Sequence, residues 1–530
     1  MKKRDKSPTS VRNKELKIDL FLEKRKSFIL IFVLAIFILL ALLLFDPKPF
    51  IGGDNATYVL LGRALLSGKG YTDIWSPGIP PHTQYPFGYP LLLCLGLVFF
   101  PHGYLPLKFI SLLCGLGSVY LFYQLLKKRI RLSVLFTILL LLVLNPDILE
   151  FSHWVLSEIP FLFFSLLAVF FFDKACSQNN QKLNLYFFLG TLIMMFTYYI
   201  RTIGLAFVIG CLAYFFYKRE YKRAGVLLLI FIALAISWSI RNYCIGTHGG
   251  YLDQFLMRDP YNPALGRLTL GQLTTRLFTN FQIYTFNVIP QIVLPTIGIW
   301  GLSNGGVILG LLVLAIMVIG FITGIKQRFV LPGFYTIFYL GIALLWPETW
   351  SDRRFLIPMI PFLLFYVVMG VIKILRSFLH DRSVFLTLPL LGLLVFAGLQ
   401  VNISQVPISV GNLFAYVQGD KSAGYPSNWR NFFEAADWVR NNSSPEAVVV
   451  SRKPTLFYLR SEHKSFCYPF SANQDSVLKA VDKADYVMVD QVSGTTARYL
   501  IPAIQNLVPQ KFEIVYVTPP PQTYILKVKK

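Results

Sequence analysis

The long apolar runs of this chain contain almost no ionisable residues. A pump or ion-coupled carrier places acids and bases near the middle of its spans, so this gap argues against that class. Cysteine is sparse too: there are six, at 94, 114, 176, 211, 244 and 467. Most lie in or beside apolar stretches and none has metal-ligand spacing, which argues against a disulfide framework and against a zinc site. No small-residue cleavage site follows the first apolar run (28–45), so that run reads as a span and not as a removable signal. No repeat or low-complexity tract is visible. Acids are few as well, with 27 Asp and Glu against 50 Lys and Arg, for a net charge of +23.

That positive excess has a particular distribution. It gathers in short clusters between apolar runs: 1–26, 127–131, 218–223, 326–328 and 373–382. A nucleic-acid binder would show a basic face on a soluble domain. Basic clusters between apolar runs follow instead the positive-inside pattern of cytoplasmic loops.

Hydrophobic residues make up 55% of the 530, with 47 Phe and 28 Tyr, which is the composition of a polytopic membrane protein. A span needs about 20 apolar residues. Spans are expected at 28–45, 106–126, 132–146, 156–172, 184–200, 203–217, 224–240, 305–325, 329–346, 355–375 and 384–401, about 11 in all. The run 88–101 is too short to span and is expected to dip into the membrane or lie on it. This count puts every basic cluster on one side. The expected layout is a basic cytoplasmic N-terminus (1–27), a membrane module (28–401) with outer loops at 46–105 and 241–304, a linker (402–425) and an extracytoplasmic α/β domain (426–530). In that last region "NWRNFFEAADWVRNN" (428–442) has helical periodicity, and 495–508 is a second helix candidate. "AVVVS" (447–451), "YVMVD" (486–490) and "FEIVYV" (512–517) read as strands.

Polar groups collect at the expected outer ends of the spans and in two loops. Asp54 follows Gly-Gly and opens a short amphipathic helix. It fits a helix N-cap, its side chain accepting from first-turn N–H groups, as well as it fits a catalytic carboxylate. Glu158 stands before a Pro and an apolar run, where the helix dipole favours an acid. Arg201 fits an interfacial anchor. Arg353 and Arg354 fit the same role, or pairing with Glu348 or Asp352. His82 and His153 fit hydrogen-bonded structural positions. Two His and two acids spread over loops make a poor metal signature.

The first loop resembles the membrane glycosyltransferases of the type C fold, in particular the protein O-mannosyltransferase and aminoarabinose-transferase-like families. The resemblance rests on Asp54 just after the first span, Tyr58 four residues on, "GRALLSGKGY" and "YPFGYPLLL". "HWVLSEIPFLFFSLLA" (153–168) and "RRFLIPMIPFLLF" (353–365) add to it. It implies a sugar donor carried on a polyprenyl phosphate and an inverting transfer to a lipid, glycan or protein acceptor, with Asp54 as general base. Candidates for the donor phosphate or substrate are Arg201, Arg241, Arg353, Arg354, Glu158, Tyr58 and His82. No cofactor is indicated; a divalent metal stays open without being indicated. Two positions depart from the family pattern: Asn55 stands where many relatives carry a second acid, and Tyr85 precedes Pro86 where some carry Lys. A lipid or glycan flippase and a non-catalytic membrane scaffold are the other classes considered.

Overall fold

The structure is a computed structural model that describes residues 8–50, 52–177, 183–246, 251–297, 306–380 and 383–530. Its chain opens with α1 (Pro8–Leu43), α2 (Asp54–Leu66), α3 (Gly88–Leu97) and α4 (Leu105–Leu126). Then come α5 (Leu132–Val143), α6 (Pro146–Ser152), α7 (Glu158–Ser177), α8 (Leu185–Ile200), α9 (Leu205–Tyr217) and α10 (Tyr221–Ile245). The second long loop holds α11 (Tyr251–Leu256), α12 (Leu270–Gln282) and α13 (Ile289–Val293). The helical bundle closes with α14 (Val307–Lys326), α15 (Val330–Leu345), α16 (Ile360–Leu379) and α17 (Ser383–Val417).

Among the described residues, seven helices are long and apolar enough to cross a membrane, and the α5–α6 pair, bent by 56°, makes an eighth if it is counted as one span. The helices α3, α8, α9 and α15 are shorter and apolar. Every expected span coincides with one of these helices, and the short run at 88–101 is the ten-residue α3. The last span runs on as helix to Val417, so a single helix covers much of the stretch read as a linker.

The helix α16 is the axis of the bundle, and all of its residues from Ile360 to Ile372 are buried. Glycine lets α14 approach it closely. A methyl group at Gly320 would lie 1.7 Å from the Tyr366 carbonyl oxygen, and one at Gly370 would lie 2.0 Å from that of Ile316. In lipid, where apolar contact gives helices little reason to associate, such small-residue faces supply the packing.

The C-terminal part adds α18 (Ser427–Asn442), α19 (Pro454–Ser461), α20 (Gln474–Val481) and α21 (Ile501–Ile504) to a five-stranded sheet. Its strands are β1 (Val449–Val450), β2 (Ser465–Phe466), β3 (Tyr486–Val489), β4 (Phe512–Val517) and β5 (Tyr524–Val528), in the order β2-β1-β3-β5-β4. β1 pairs in parallel with both β2 and β3, while β5 is antiparallel to β3 and β4. Strand runs β1, β3 and β4 match the alternating and β-branched stretches of the sequence; β2, β5, α19 and α20 were not anticipated.

This domain is bolted to the first loop. The Tyr425 hydroxyl accepts from Phe50 N (3.0 Å) and donates to Phe50 O (2.6 Å). Ser465 N donates to Trp75 O at 2.8 Å. Ala56 of α2 is buried in one apolar cluster with Phe432, Leu456 and Phe457 of the domain. The sheet domain therefore sits at the end of the bundle where α1 stops and α7 and α16 begin.

Candidate active site

The chain reaches this end of the bundle through Gly52 and Gly53, both at positive φ (78° and 132°). Glycine adopts such angles without steric cost. The turn makes Asp54 the first residue of α2, with Gly53 as its N-cap. No side chain caps this helix, so the capping role expected of Asp54 is not the one it plays. Its carboxylate turns away to other partners. The Tyr85 hydroxyl donates to Oδ1 at 3.0 Å, and Arg354 Nη1 donates to Oδ2 at 2.9 Å.

Arg354 also reaches Glu158. Its Nε donates to Glu158 Oε1 at 2.5 Å, and Arg201 Nη1 meets the same oxygen at 2.5 Å. Glu158 opens α7, and its side chain is 0% exposed. A buried carboxylate needs cations to offset its lost hydration; here it has two. The Arg201 side chain is 13% exposed and ion-paired, so it is no snorkelling anchor. Arg354 likewise takes distant carboxylates, not the nearby Glu348 or Asp352, as its ion-pair partners. Asp352 instead accepts from the Arg354 backbone N–H at 2.8 Å and so fixes where that side chain starts.

Ser157 and Tyr58 finish the cluster. Ser157 Oγ accepts from Arg201 at 3.1 Å and lies 3.4 Å from the Tyr58 hydroxyl. The Tyr58 ring packs on Tyr85 (5.0 Å) and Tyr89 (4.9 Å). Burial and the neighbouring Asp54 charge push the Tyr58 phenol up to about 12, which keeps it a neutral donor at physiological pH. At Asp54, burial pushes the carboxyl upward, but the Arg354 guanidinium and the two hydrogen bonds outweigh it. The net result lies below the usual carboxylate range, so Asp54 is ionised at neutral pH. Its side chain keeps 39% of its exposure, and a carboxylate has about four lone-pair sites, of which two are used here. A hydroxyl from outside has room to reach it.

The remaining candidates fall outside this cluster. Arg353 pairs with Asp147 (3.0 Å) and Glu150 (3.3 Å). Arg241 donates to His82 O (2.9 Å) and stacks over Trp238 at 4.8 Å, bracing the first loop. His82 stands behind Tyr85. Its Nδ1 lies 2.6 Å from Asp73 Oδ1, its Nε2 accepts from Tyr85 N at 2.8 Å, and its ring stacks on the Tyr85 ring. Those contacts hold Tyr85 where its hydroxyl meets Asp54. All six cysteines are free thiols, and no three His, Cys, Asp or Glu side chains converge as metal ligands among the described residues.

No sequence family and no curated protein matches this chain. Solved structures do. The apo crystal structure of ArnT from Cupriavidus metallidurans superposes with a TM-score of 0.56 at 11% identity, covering 94% of this chain and 97% of that one. The same ArnT bound to undecaprenyl phosphate gives 0.56 at 10% identity, with the same coverage. The chain has the ArnT fold. The likeness spans both the bundle and the sheet domain, so the type C architecture expected from the first loop extends over nearly the whole chain. With it comes a multi-pass membrane protein.

Tyr85, Ser157 and Tyr251 belong to the site and were not among the candidates drawn from the sequence. Tyr251, at the start of α11, places its ring 6.1 Å from that of Tyr85. The signal for Tyr85 was present in "HTQYPFGYP", as an aromatic fixed by the following Pro; Ser157 and Tyr251 carry no such mark.

Proposed function

We propose that this protein is an inverting glycosyltransferase that moves a sugar from a polyprenyl-phosphate donor to an acceptor hydroxyl. The observation that carries the reading is the Asp54 carboxylate: ionised, aimed by Arg354 and Tyr85, and still open to solvent. The ArnT fold supports the donor class, since ArnT itself was solved with undecaprenyl phosphate.

In this reading the acceptor oxygen attacks the anomeric carbon from the face opposite the phosphate. The bond between that carbon and the phosphate oxygen breaks, and its electron pair leaves with the polyprenyl phosphate. The acceptor proton passes to Asp54. A carboxylate with a depressed pKa is a weak base, so it takes the proton late, when the sugar–phosphate bond is largely broken and the attacking hydroxyl has become acidic. Arg354 and Arg201 bring positive charge to the place where the leaving phosphate gains negative charge. Tyr58, held neutral, donates a hydrogen bond nearby. The Arg354–Glu158–Arg201 arrangement fixes the guanidinium planes before substrate arrives, and Arg suits two-point contact with a phosphate.

Orientation follows from the basic clusters. The positive-inside rule assigns the loops that carry them to the cytoplasm. The site and the 426–530 domain then face outward from a plasma membrane.

The test is a transfer assay with purified protein and a panel of polyprenyl-phosphate sugars. Asp54→Asn should lower the turnover rate by roughly 10²–10⁴-fold, the usual contribution of a positioned base. Its thermal unfolding should stay close to that of the wild type. Wild-type turnover in this variant would refute the role of Asp54.

A further inference from the structure

We infer that the C-terminal domain completes the transfer site by carrying Lys453 into it to hold a substrate phosphate. The inference rests on the function proposed above and gives the domain a part in it.

Topology puts Lys453 there. The strands β1, β2 and β3 are parallel, so their carboxyl ends share one edge of the sheet. Open sheets with parallel strands bind ligands at that edge. Here it carries Arg452 and Lys453 after β1, Cys467 after β2 and Asp490 after β3. Lys453 is followed at once by α19, which packs on α2. The contact is so close that a methyl group at Gly53 would lie 3.6 Å from Lys453 Cδ and 3.8 Å from its Nζ. The next residue is Asp54. The ammonium is thus delivered to the first turn of the helix that bears the proposed base.

The commitments of the nearby cations differ. Arg354 spends Nε and Nη1 on two carboxylates, and Arg201 spends Nη1 on Glu158 and Ser157. Arg452 donates to Thr495 Oγ1 at 2.6 Å and lies over the Phe470 ring. Asp490 accepts from Val492 N (3.1 Å) and Thr496 Oγ1 (3.3 Å). Among the described residues Lys453 Nζ makes no hydrogen bond or ion pair, while its backbone N–H donates to Ser451 Oγ and its carbonyl accepts from Phe457 N. Burial holds the Lys453 ammonium below its usual range despite the pull of Asp54 and Asp490. A partly desolvated ammonium without a close partner gains more from an arriving phosphate anion than one already paired.

Three clamps keep the domain, and with it Lys453, in register with the two loops: the Tyr425–Phe50 hydrogen bonds and Ser465–Trp75 to the first, and Tyr499 Oη donating to Tyr261 O at 2.8 Å to the second. The phosphate has two possible sources, the lipid-linked donor or a phosphorylated acceptor.

Full-length wild-type protein, Lys453→Gln and Lys453→Arg in nanodiscs distinguish them. Each is titrated with undecaprenyl phosphate, with undecaprenol as the phosphate-free probe, and with glucose 1-phosphate as a soluble phosphate monoester. Donor binding predicts that Lys453→Gln weakens undecaprenyl phosphate at least tenfold, that Lys453→Arg stays within threefold of wild type, and that undecaprenol binds all three alike. Acceptor binding predicts instead that Lys453→Gln loses only the monoester. Equal affinities of wild type and Lys453→Gln for both phosphates overturn the inference. Wild-type protein that binds undecaprenyl phosphate no better than undecaprenol overturns the lipid-phosphate donor, and the monoester then decides Lys453 separately.

Discussion

Arg354 Nη1 lies 2.9 Å from Asp54 Oδ2, joining residues 300 positions apart in the chain. The contact ties the acid of the first polar loop to the entry of the central helix. It also sets the acidity of Asp54.

That link gives a pH prediction. With Arg354 present, Asp54 titrates below the usual carboxylate value of about 3.9, so its loss by protonation falls below roughly pH 4. Arg354→Gln removes the largest lowering influence and leaves burial, which raises the pKa. The acid limb of kcat/KM should then move to higher pH, and activity should be lost as pH falls through the new value. Profiles of wild type and variant between pH 4 and 8 check this; an unmoved acid limb would sink the electrostatic account.

Glu158 and Arg201 form a buried pair at 2.5 Å. Removing one partner strands the other. Glu158→Leu should cost about 3–5 kcal/mol of stability, while Glu158→Leu with Arg201→Leu should recover part of the loss. Thermal unfolding in detergent of both singles and the double gives the coupling energy. A value near zero would mean the pair is not coupled.

Two glycines set the approach of α14 to α16. Gly370→Ala would put its methyl group 2.0 Å from a backbone oxygen, so the helices must part, at a cost of about 1–3 kcal/mol or more. Gly225 on α10 has nothing within 4 Å, and Gly225→Ala should be neutral or slightly stabilising through helix propensity. Melting temperatures that fall equally in both variants would contradict the close-packing reading.

Tyr425→Phe removes one hydroxyl that serves both the N–H and the C=O of Phe50. Phe50 is itself buried, so the unpaired groups should cost about 1–3 kcal/mol. The loss should appear as faster hydrogen exchange along α18 and around Phe50, with the bundle helices unchanged. Unaltered exchange on α18 would show that this bond does not hold the domain.

Much of the fold is legible in the sequence because spans are long, apolar and punctuated by charge. Each expected span is a helix for that reason. The sheet domain was legible only in part. Runs such as "FEIVYV" declare themselves, but β2 is two residues long and β5 is broken by Lys527, so neither shows a strand period. The site was legible as a set of polar residues at span ends but not as a set of partners. Nothing in the local sequence says that Arg354 faces Asp54 and Glu158 while Arg353 faces Asp147 and Glu150. Adjacent residues diverge there because the backbone at 353–359 winds as a tight 3₁₀ turn capped by Asp352. The capping role suggested for Asp54 gave way because Arg354 outcompetes backbone N–H groups for a carboxylate.

The order in which the ion pairs occur along the chain also orders the protein's biogenesis. A ribosome makes Glu158 and then Arg201 at the start and close of one helical hairpin, α7 and α8, so both members of this pair are present once the hairpin is complete. Asp54 has no such early companion. Its guanidinium arrives with α16, and Lys453 only after the last span is in place. A nascent chain therefore passes through insertion with Asp54 still lacking its guanidinium, and the constellation closes as one of the last acts of assembly.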